Sequence, residues 1–181
     1  FGRVARGIAE WAIRDIRGSL GGFFSAIDAD SEGEEGTFYV WTHAEIHQAL
    51  GASLAARFCD LYGIEADGNW VDEATGESMP TNLPYLRMPL EAYAEAEGLE
   101  PDALHIEMND ALRTLYEVRK GREWPAGDDK ILTGWNGLMV GALARVGAAL
   151  NHEPFIQAAV RAADFLGSKL IEGGKVYGFW R

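Results

Sequence analysis

The chain has 181 residues, about the length of one ordinary domain. Its 48% hydrophobic and 24% charged residues are typical of a soluble globular protein. Sixteen basic against 28 acidic residues give a formal net charge of −12, which disfavours nucleic acid or an anionic membrane as a partner. No stretch reaches the roughly 18 uncharged apolar residues of a membrane-spanning helix. We therefore predict a cytoplasmic protein with no nucleic-acid and no membrane partner.

The cysteine content and the start of the chain also limit the interpretation. Cys59 is the one cysteine of the sequence, which excludes an internal disulfide, a Cys-x-x-Cys redox pair and a cysteine-based zinc site. The sequence opens at Phe1, inside a predicted helix, without an initiator methionine or a signal peptide. We expect the chain to be a section of a longer protein.

The first third of the chain predicts a helix, a β-hairpin and two short helices. Residues 1–17 have a helical period, and residues 23–27 and 37–41 are rich in strand formers. These two runs flank an acidic segment, so we predict a hairpin over residues 22–42 with a long tip at 28–36. Thr42 and Glu45 form a capping box for a helix that ends at Gly51, and a second helix follows over residues 53–62. The first helix has one apolar face, which carries Phe1, Val4, Ala5, Ile8, Ala12 and Ile16.

The remainder predicts an irregular excursion over residues 64–100 and helical hairpins over residues 101–171. Pro101 opens an amphipathic helix whose apolar stripe comprises Leu104, Met108, Ala111, Leu112, Leu115 and Val118. Residues 131–151 carry one charge, Arg145, so we expect other helices to enclose this apolar helix. Its glycines predict close approach to a neighbour; they are Gly137, Gly141 and Gly147. The last predicted helix, 153–171, buries Phe155, Ala158, Ala159, Ala162, Leu166 and Leu170.

An internal repeat and two long motifs carry a family resemblance. The opening helix, with the Gly-Gly-aromatic segment after it, matches the closing helix, so that Phe1 corresponds to Phe155. This repeat indicates an array of helical hairpins; the alternative is a coincidence between two similar amphipathic helices. With these helices, the strings GGFFSAIDADSEGEEGTFYVWT (21–42) and DDKILTGWNGLMVGALA (128–144) resemble thioredoxin-domain-containing proteins. The larger part of those proteins looks like an N-acylglucosamine 2-epimerase, a six-hairpin (α/α)6 toroid. The resemblance spans essentially the whole chain. It implies an all-α section of that toroid, a single partial domain over residues 1–181, without the thioredoxin-like domain that precedes the toroid in the family.

The resemblance implies a carbohydrate-active function, with a pocket lined by the ends of inner helices. Asp128, Asp129 and Lys130 precede the apolar helix and are the candidate catalytic residues. A carboxylate there would bind hydroxyls or transfer a proton, while Lys130 tunes its pKa. The alternative is that the carboxylates only cap the helix and complement its dipole.

Further residues are candidates for binding a small sugar. Trp135 offers an apolar ring face, and Asn136 offers an amide that both donates and accepts hydrogen bonds. The alternative for Trp135 is a place in the core. The resemblance places the hairpin at the mouth of the toroid, which adds Asp28, Asp30, Tyr39 and Trp41. The alternative for its acidic tip is a solvated turn.

Two partial metal motifs are present, and we predict no metal and no cofactor. The acidic tip begins like a calcium loop, with Asp28, Asp30 and Glu32, but its twelfth position is Tyr39 rather than Glu. His43 and His47 have the spacing of metal ligands on a helix, yet no third ligand is recognisable. Cys59 is expected to be a buried small hydrophobe rather than a nucleophile.

Two functions from different classes follow. The first is a sugar epimerase or isomerase, or a glycosidase relative. The second is a toroid without chemistry that binds a ligand or a partner and is coupled to a thioredoxin-like domain. The sequence shows no inward His or Glu constellation of the epimerase kind. In either case the isolated chain should self-associate, because an incomplete toroid leaves apolar helix faces without neighbours.

Overall fold

The structure, a computed structural model, describes residues 1–31, 33–73 and 75–181, with the backbone alone at residues 34 and 35. The predicted domain 1–181 contains two compact units: unit 1 comprises Phe1–Asp28 and Ala126–Arg181, and unit 2 comprises Ala29–Pro125. In chain order the elements are α1 (Gly2–Asp15), β1 (Ala26–Ile27), β2 (Asp30–Ser31), β3 (Glu34–Glu35), α2 (His43–Leu50), α3 (Ala52–Leu61), β4 (Trp70–Val71), β5 (Ser78–Met79), α4 (Leu90–Glu97), α5 (Pro101–Lys120), β6 (Gly127–Asp128), β7 (Ile131–Leu132), α6 (Thr133–Ala149), α7 (Glu153–Lys169), β8 (Ile171–Glu172), β9 (Lys175–Val176) and β10 (Phe179–Trp180).

The described chain is mostly helical with short antiparallel strand pairs, in line with the helical prediction. The helices lie close to their expected ranges, and the capping box of Thr42 and Glu45 is confirmed. None of the helices in the described ranges combines the length and the apolar character needed to cross a bilayer.

Unit 1 is built on the packing of α6 against α7, with α1 on α6. A Cβ on Gly147 would lie 2.7 Å from a side-chain carbon of Ile156, so this glycine lets the two helices approach closely. The predicted close approach is thus confirmed at Gly147, but a Cβ on Gly137 would meet no atom within 4 Å. The main apolar cluster of the unit comprises Ala9, Ala12, Phe23, Leu143, Phe155, Ala158, Ala159 and Ala162.

Two apolar helix faces of unit 1 are exposed within this chain, as expected where an incomplete section leaves apolar faces without neighbours. On α6 the buried residues are Asn136, Leu143 and Gly147, whereas Leu138 is 73% exposed. On α1 the predicted apolar face is covered only in part: Ala12 is buried and Ile16 packs against the core, while Phe1, Val4 and Ile8 are exposed. Small alanines let α1 lie close to its neighbours, and Val4 and Ile8 are left exposed.

The predicted hairpin over residues 22–42 does not form as expected. In unit 1, β1 pairs with β6, in the register Ala26↔Asp128 and Ile27↔Gly127. In unit 2, β2 pairs with β3 inside the segment that was expected to be the tip. Residues 37–39 form a turn instead of a strand, and the carbonyl oxygens of Thr37, Phe38 and Val40 accept hydrogen bonds from the Arg122 guanidinium. A side chain, rather than a partner strand, satisfies these backbone groups.

Unit 2 has its own core, in which α2, α3, α4 and α5 pack together. On α5 the buried stripe is confirmed at Leu104, Met108, Ala111 and Leu115, while Leu112 and Val118 are exposed. The stretch predicted to be irregular, residues 64–100, contains α4 and the β4–β5 pair. Two asparagines in it form hydrogen bonds to backbone groups.

Buried Asn82 holds the irregular stretch to the preceding chain. Its amide nitrogen donates to the carbonyls of Trp41 and Glu65, and its Oδ1 accepts from the Glu65 N–H at 2.8 Å. Asn69 makes similar bonds to the backbone of Gly63 and Leu83. Such side-chain bonds replace regular secondary structure, which explains the lack of any sequence period here.

Candidate functional site

The segment Asp128–Lys130 is a charged corner of unit 1 between β6 and β7. The Lys130 Nζ lies 2.9 Å from Asp128 Oδ2, and the Lys130 backbone N–H donates to Asp128 Oδ1 at 3.2 Å. The side-chain hydrogen bond from Lys130, assisted by this backbone bond, lowers the pKa of Asp128 below its ordinary value. Asp128 is therefore ionised at neutral pH, so it accepts hydrogen bonds well and is a poor proton donor.

Asp129 points to a different partner, and neither carboxylate caps α6. Asp129 is exposed, and its Oδ1 lies 2.9 Å from Arg181 Nε. The residue at the N-cap of α6 is Leu132, which makes no side-chain cap, and the first turn contains no acidic residue. Strand β7 separates the two carboxylates from the helix, so the capping alternative is wrong.

The two predicted sugar-binding residues on the first turn of α6 have different environments. The Trp135 side chain is 59% exposed, so it is not a core residue and its ring is accessible. Asn136 is 2% exposed and bonds to the backbone: its Oδ1 accepts from Phe23 N–H at 2.7 Å, and its Nδ2 donates to the carbonyls of Phe23 and Leu132. Both donors of the amide are in use, so Asn136 serves the fold and we correct its predicted role as a ligand-binding residue.

The acidic segment and the residues after it fall in both units. Asp28 is in unit 1, exposed, and its N–H donates to the Ala126 carbonyl at 2.7 Å. Asp30, in unit 2, is exposed on β2, and Glu32 of the calcium-like motif lies outside the described residues.

Tyr39 and Trp41, both in unit 2, differ in exposure. Tyr39 is 37% exposed, with the Arg119 guanidinium 5.5 Å from its ring centroid. Trp41 is 4% exposed, and the Arg122 guanidinium stacks 4.3 Å from its ring centroid. The predicted sugar contact of Trp41 is therefore wrong, because its ring belongs to the core of unit 2.

The structure also brings together a group in unit 2 that the sequence did not reveal. The potential ligand atoms of His43, His47 and Cys59 all lie within 4.8 Å of one another. The buried position of Cys59 is confirmed, and burial raises the pKa of its thiol. The single cysteine of the sequence excludes a zinc site built from several cysteines. It does not exclude a site of two imidazoles and one thiol. The sequence signal was incomplete because the third group comes from the next helix.

Comparison with known proteins identifies relatives of greater length. No protein-family model matches the chain. It is 37% identical, over 183 aligned positions, to spermatogenesis-associated protein 20 of Mus musculus, and 36% identical to the protein of that name from Homo sapiens; each match covers 92% of the chain and 23% of the relative. An uncharacterised protein of Caenorhabditis elegans is 29% identical over 86% of the chain. The chain is similar to one section of spermatogenesis-associated protein 20. It spans about a quarter of the length of the curated relatives it matches, as expected for a section of a longer protein.

Proposed function

We propose that unit 1 contributes a binding surface for a small neutral sugar, formed by Trp135 and the charged corner Asp128–Lys130. The observation that carries the proposal is the combination of an exposed indole ring on the first turn of α6 with an ionised carboxylate a few residues before it. A sugar offers an apolar ring face and a rim of hydroxyl groups. An aromatic ring packs against the apolar face of a sugar, and charged groups accept or donate hydrogen bonds to its hydroxyl groups.

The charged corner Asp128–Lys130 is better suited to binding a ligand than to general-acid catalysis. A general acid must hold its proton near the working pH, whereas Lys130 keeps Asp128 in the ionised form. Asp129 is exposed and paired with Arg181, so it lies in solvent rather than in the closed site that a general acid needs. Any sugar epimerase or glycosidase activity of the longer protein would need an acid from residues beyond this corner.

The assignment to an (α/α)6 toroid is part of the same proposal. The exposed apolar faces of α1 and α6 suit a section whose helices meet further helices in the longer protein. The relatives are about four times as long as the matched section, which provides the chain for such helices.

Saturation-transfer-difference NMR of the chain with N-acetylglucosamine as the probe tests the sugar site. We expect signal transfer to the sugar ring protons that Trp135→Ala abolishes and that the matched control Leu138→Ala, on the same helix, leaves intact. Asp129→Asn should weaken binding about tenfold or more, as for a charged hydrogen bond. Its effect on the free energy of unfolding should stay below about 1 kcal/mol, because the pair with Arg181 is exposed. Equal binding by the wild type and Trp135→Ala would refute the proposal.

A second function, docking of a protein partner, is favoured by one observation. Trp135 and Leu138 on α6, like Val4 and Ile8 on α1, leave apolar surface uncovered within the chain. In this case Leu138→Ala and Trp135→Ala would both weaken the interaction of unit 1 with its partner, and N-acetylglucosamine would give no signal.

A further inference from the structure

Two imidazoles and one thiol converge in unit 2, at the packing of α2 against α3. His43 and His47 are one helical turn apart on α2, so their rings lie on the same side of the helix, with centroids 4.4 Å apart. Cys59 reaches the same place from α3, and the candidate ligand atoms of the three side chains lie within 4.8 Å of one another. Within the described ranges, no hydrogen bond or ion pair engages either imidazole. The ring nitrogens are therefore available to another ligand.

We propose that His43, His47 and Cys59 form a binding site for a zinc ion. Two imidazole nitrogens and a thiolate are ligands that zinc prefers, and three protein ligands leave one coordination position of a tetrahedral ion open. The site lies in unit 2 and is independent of the proposed sugar surface.

The identity of the ligands selects the class of metal. Among the described residues no carboxylate joins the three groups, which argues against calcium or magnesium, because those ions require oxygen ligands. A thiolate with imidazoles favours zinc or copper. Zinc–nitrogen bonds of about 2.0–2.1 Å and zinc–sulfur bonds of about 2.3 Å would place the ligand atoms about 3–4 Å apart. The candidate ligand atoms lie within 4.8 Å of one another, so side-chain rotations alone can bring them to these separations.

His43, His47 and Cys59 lie on two helices, α2 and α3, whose ends are fixed by hydrogen bonds and tight turns. Thr42 caps α2 immediately before His43, through reciprocal bonds with Glu45. Gly51, with φ of 75°, joins α2 to α3 without a longer loop. At the end of α3 the N–H of Ile64 donates to the Cys59 carbonyl at 2.9 Å, across Gly63 in the left-handed region, which fixes the backbone of Cys59. Sites built on such elements are more precise than sites on loops.

The test uses the reduced chain, freed of metal, with Co²⁺ and Zn²⁺ alone as probes. Co²⁺ should bind at one ion per chain, with a thiolate-to-cobalt charge-transfer band in the near ultraviolet and visible bands of tetrahedral intensity, and Zn²⁺ should displace it. Zinc affinity is measured by competition with a chromophoric chelator. Loss of a group that merely orients a ligand costs about 10–100-fold in metal affinity, so loss of a ligand should cost at least this much.

Three variants separate the site from other effects. Cys59→Ser should remove the charge-transfer band and weaken zinc binding. His47→Gln, at a half-buried helical position that tolerates the change, should weaken zinc binding and retain the band for the cobalt that still binds. The matched control is His105→Gln, since His105 belongs to the same unit but pairs with Glu91, and it should bind zinc like the wild type. Circular dichroism checks that each variant is folded.

The proposal is overturned if cobalt binds without a charge-transfer band. It is equally overturned if Cys59→Ser and His47→Gln, folded, bind zinc as tightly as His105→Gln. Binding of Cu²⁺ without binding of Zn²⁺ would overturn the choice of metal.

Discussion

Replacement of Asn136 by alanine should destabilise unit 1 strongly. The variant leaves the N–H and the carbonyl of Phe23, a residue only 2% exposed, without their partner. The Leu132 carbonyl also loses a bond, but as the N-cap residue of α6 it lies where it accepts the first bond of the helix. Each orphaned buried backbone group costs about 1–3 kcal/mol, so the two groups of Phe23 together cost about 2–6 kcal/mol of the free energy of unfolding.

Urea denaturation gives the change in the free energy of unfolding, and amide hydrogen exchange followed by NMR gives the protection of the Phe23 N–H. The control is Gln157→Ala, an exposed amide on α7 of the same unit, which should change stability by less than about 0.5 kcal/mol. If Asn136→Ala matches this control and the Phe23 amide stays protected, Asn136 is not the structural link described above. A loss of sugar binding without a loss of stability would restore its predicted role as a ligand-binding residue.

Three further outcomes are expected. Arg122→Lys should lower the free energy of unfolding by about 1.5–3 kcal/mol in urea titration, since one ammonium group cannot bond the carbonyls and the Glu45 carboxylate together and also stack on Trp41, as the planar guanidinium does; an unchanged midpoint would contradict this. Lys130→Met should raise the pKa of Asp128 in an NMR pH titration towards the ordinary value of 3.8. Asp128 has a lower pKa in the folded protein than in the unfolded chain, so its interaction with Lys130 stabilises the fold above the unfolded pKa, and this stabilisation is lost as the pH falls through the folded pKa. The wild type and Lys130→Met should therefore have the same stability in acid, and a growing difference there would refute the assignment. Sedimentation equilibrium at micromolar concentration should give a mass above 19.8 kDa, because the apolar faces of α1 and α6 are exposed; a clean monomer would refute self-association.

The helices were predictable because their signals are local. The capping box at Thr42 and the apolar periodicity of α5 and α7 depend on residues within a few positions of one another, and the structure has these helices close to where the sequence predicts them. The burial of Cys59 was predicted from residue type and context. In α1, by contrast, periodicity indicated an amphipathic helix but not which side would be covered, since that depends on neighbours remote in sequence.

The pairings of the strands and the environments of the site residues were decided by the tertiary structure. Two runs of strand formers separated by a turn predict a hairpin. In the structure Asn136 bonds the backbone of Phe23, and Arg122 bonds three carbonyls between residues 37 and 40, although both side chains lie far away along the chain. Long-range side-chain bonds to backbone groups leave no periodic signal in the sequence. The same holds for the metal-binding group: the spacing of two histidines on one helix is visible in the sequence, whereas the thiol that completes the set is brought to them by the packing of α2 on α3. The sequence by itself therefore determined the helices, the capping box of α2 and the acidic character of the chain. Only the tertiary structure decided which apolar faces are covered, which strands pair and which polar groups meet, because those outcomes depend on contacts between residues remote in sequence.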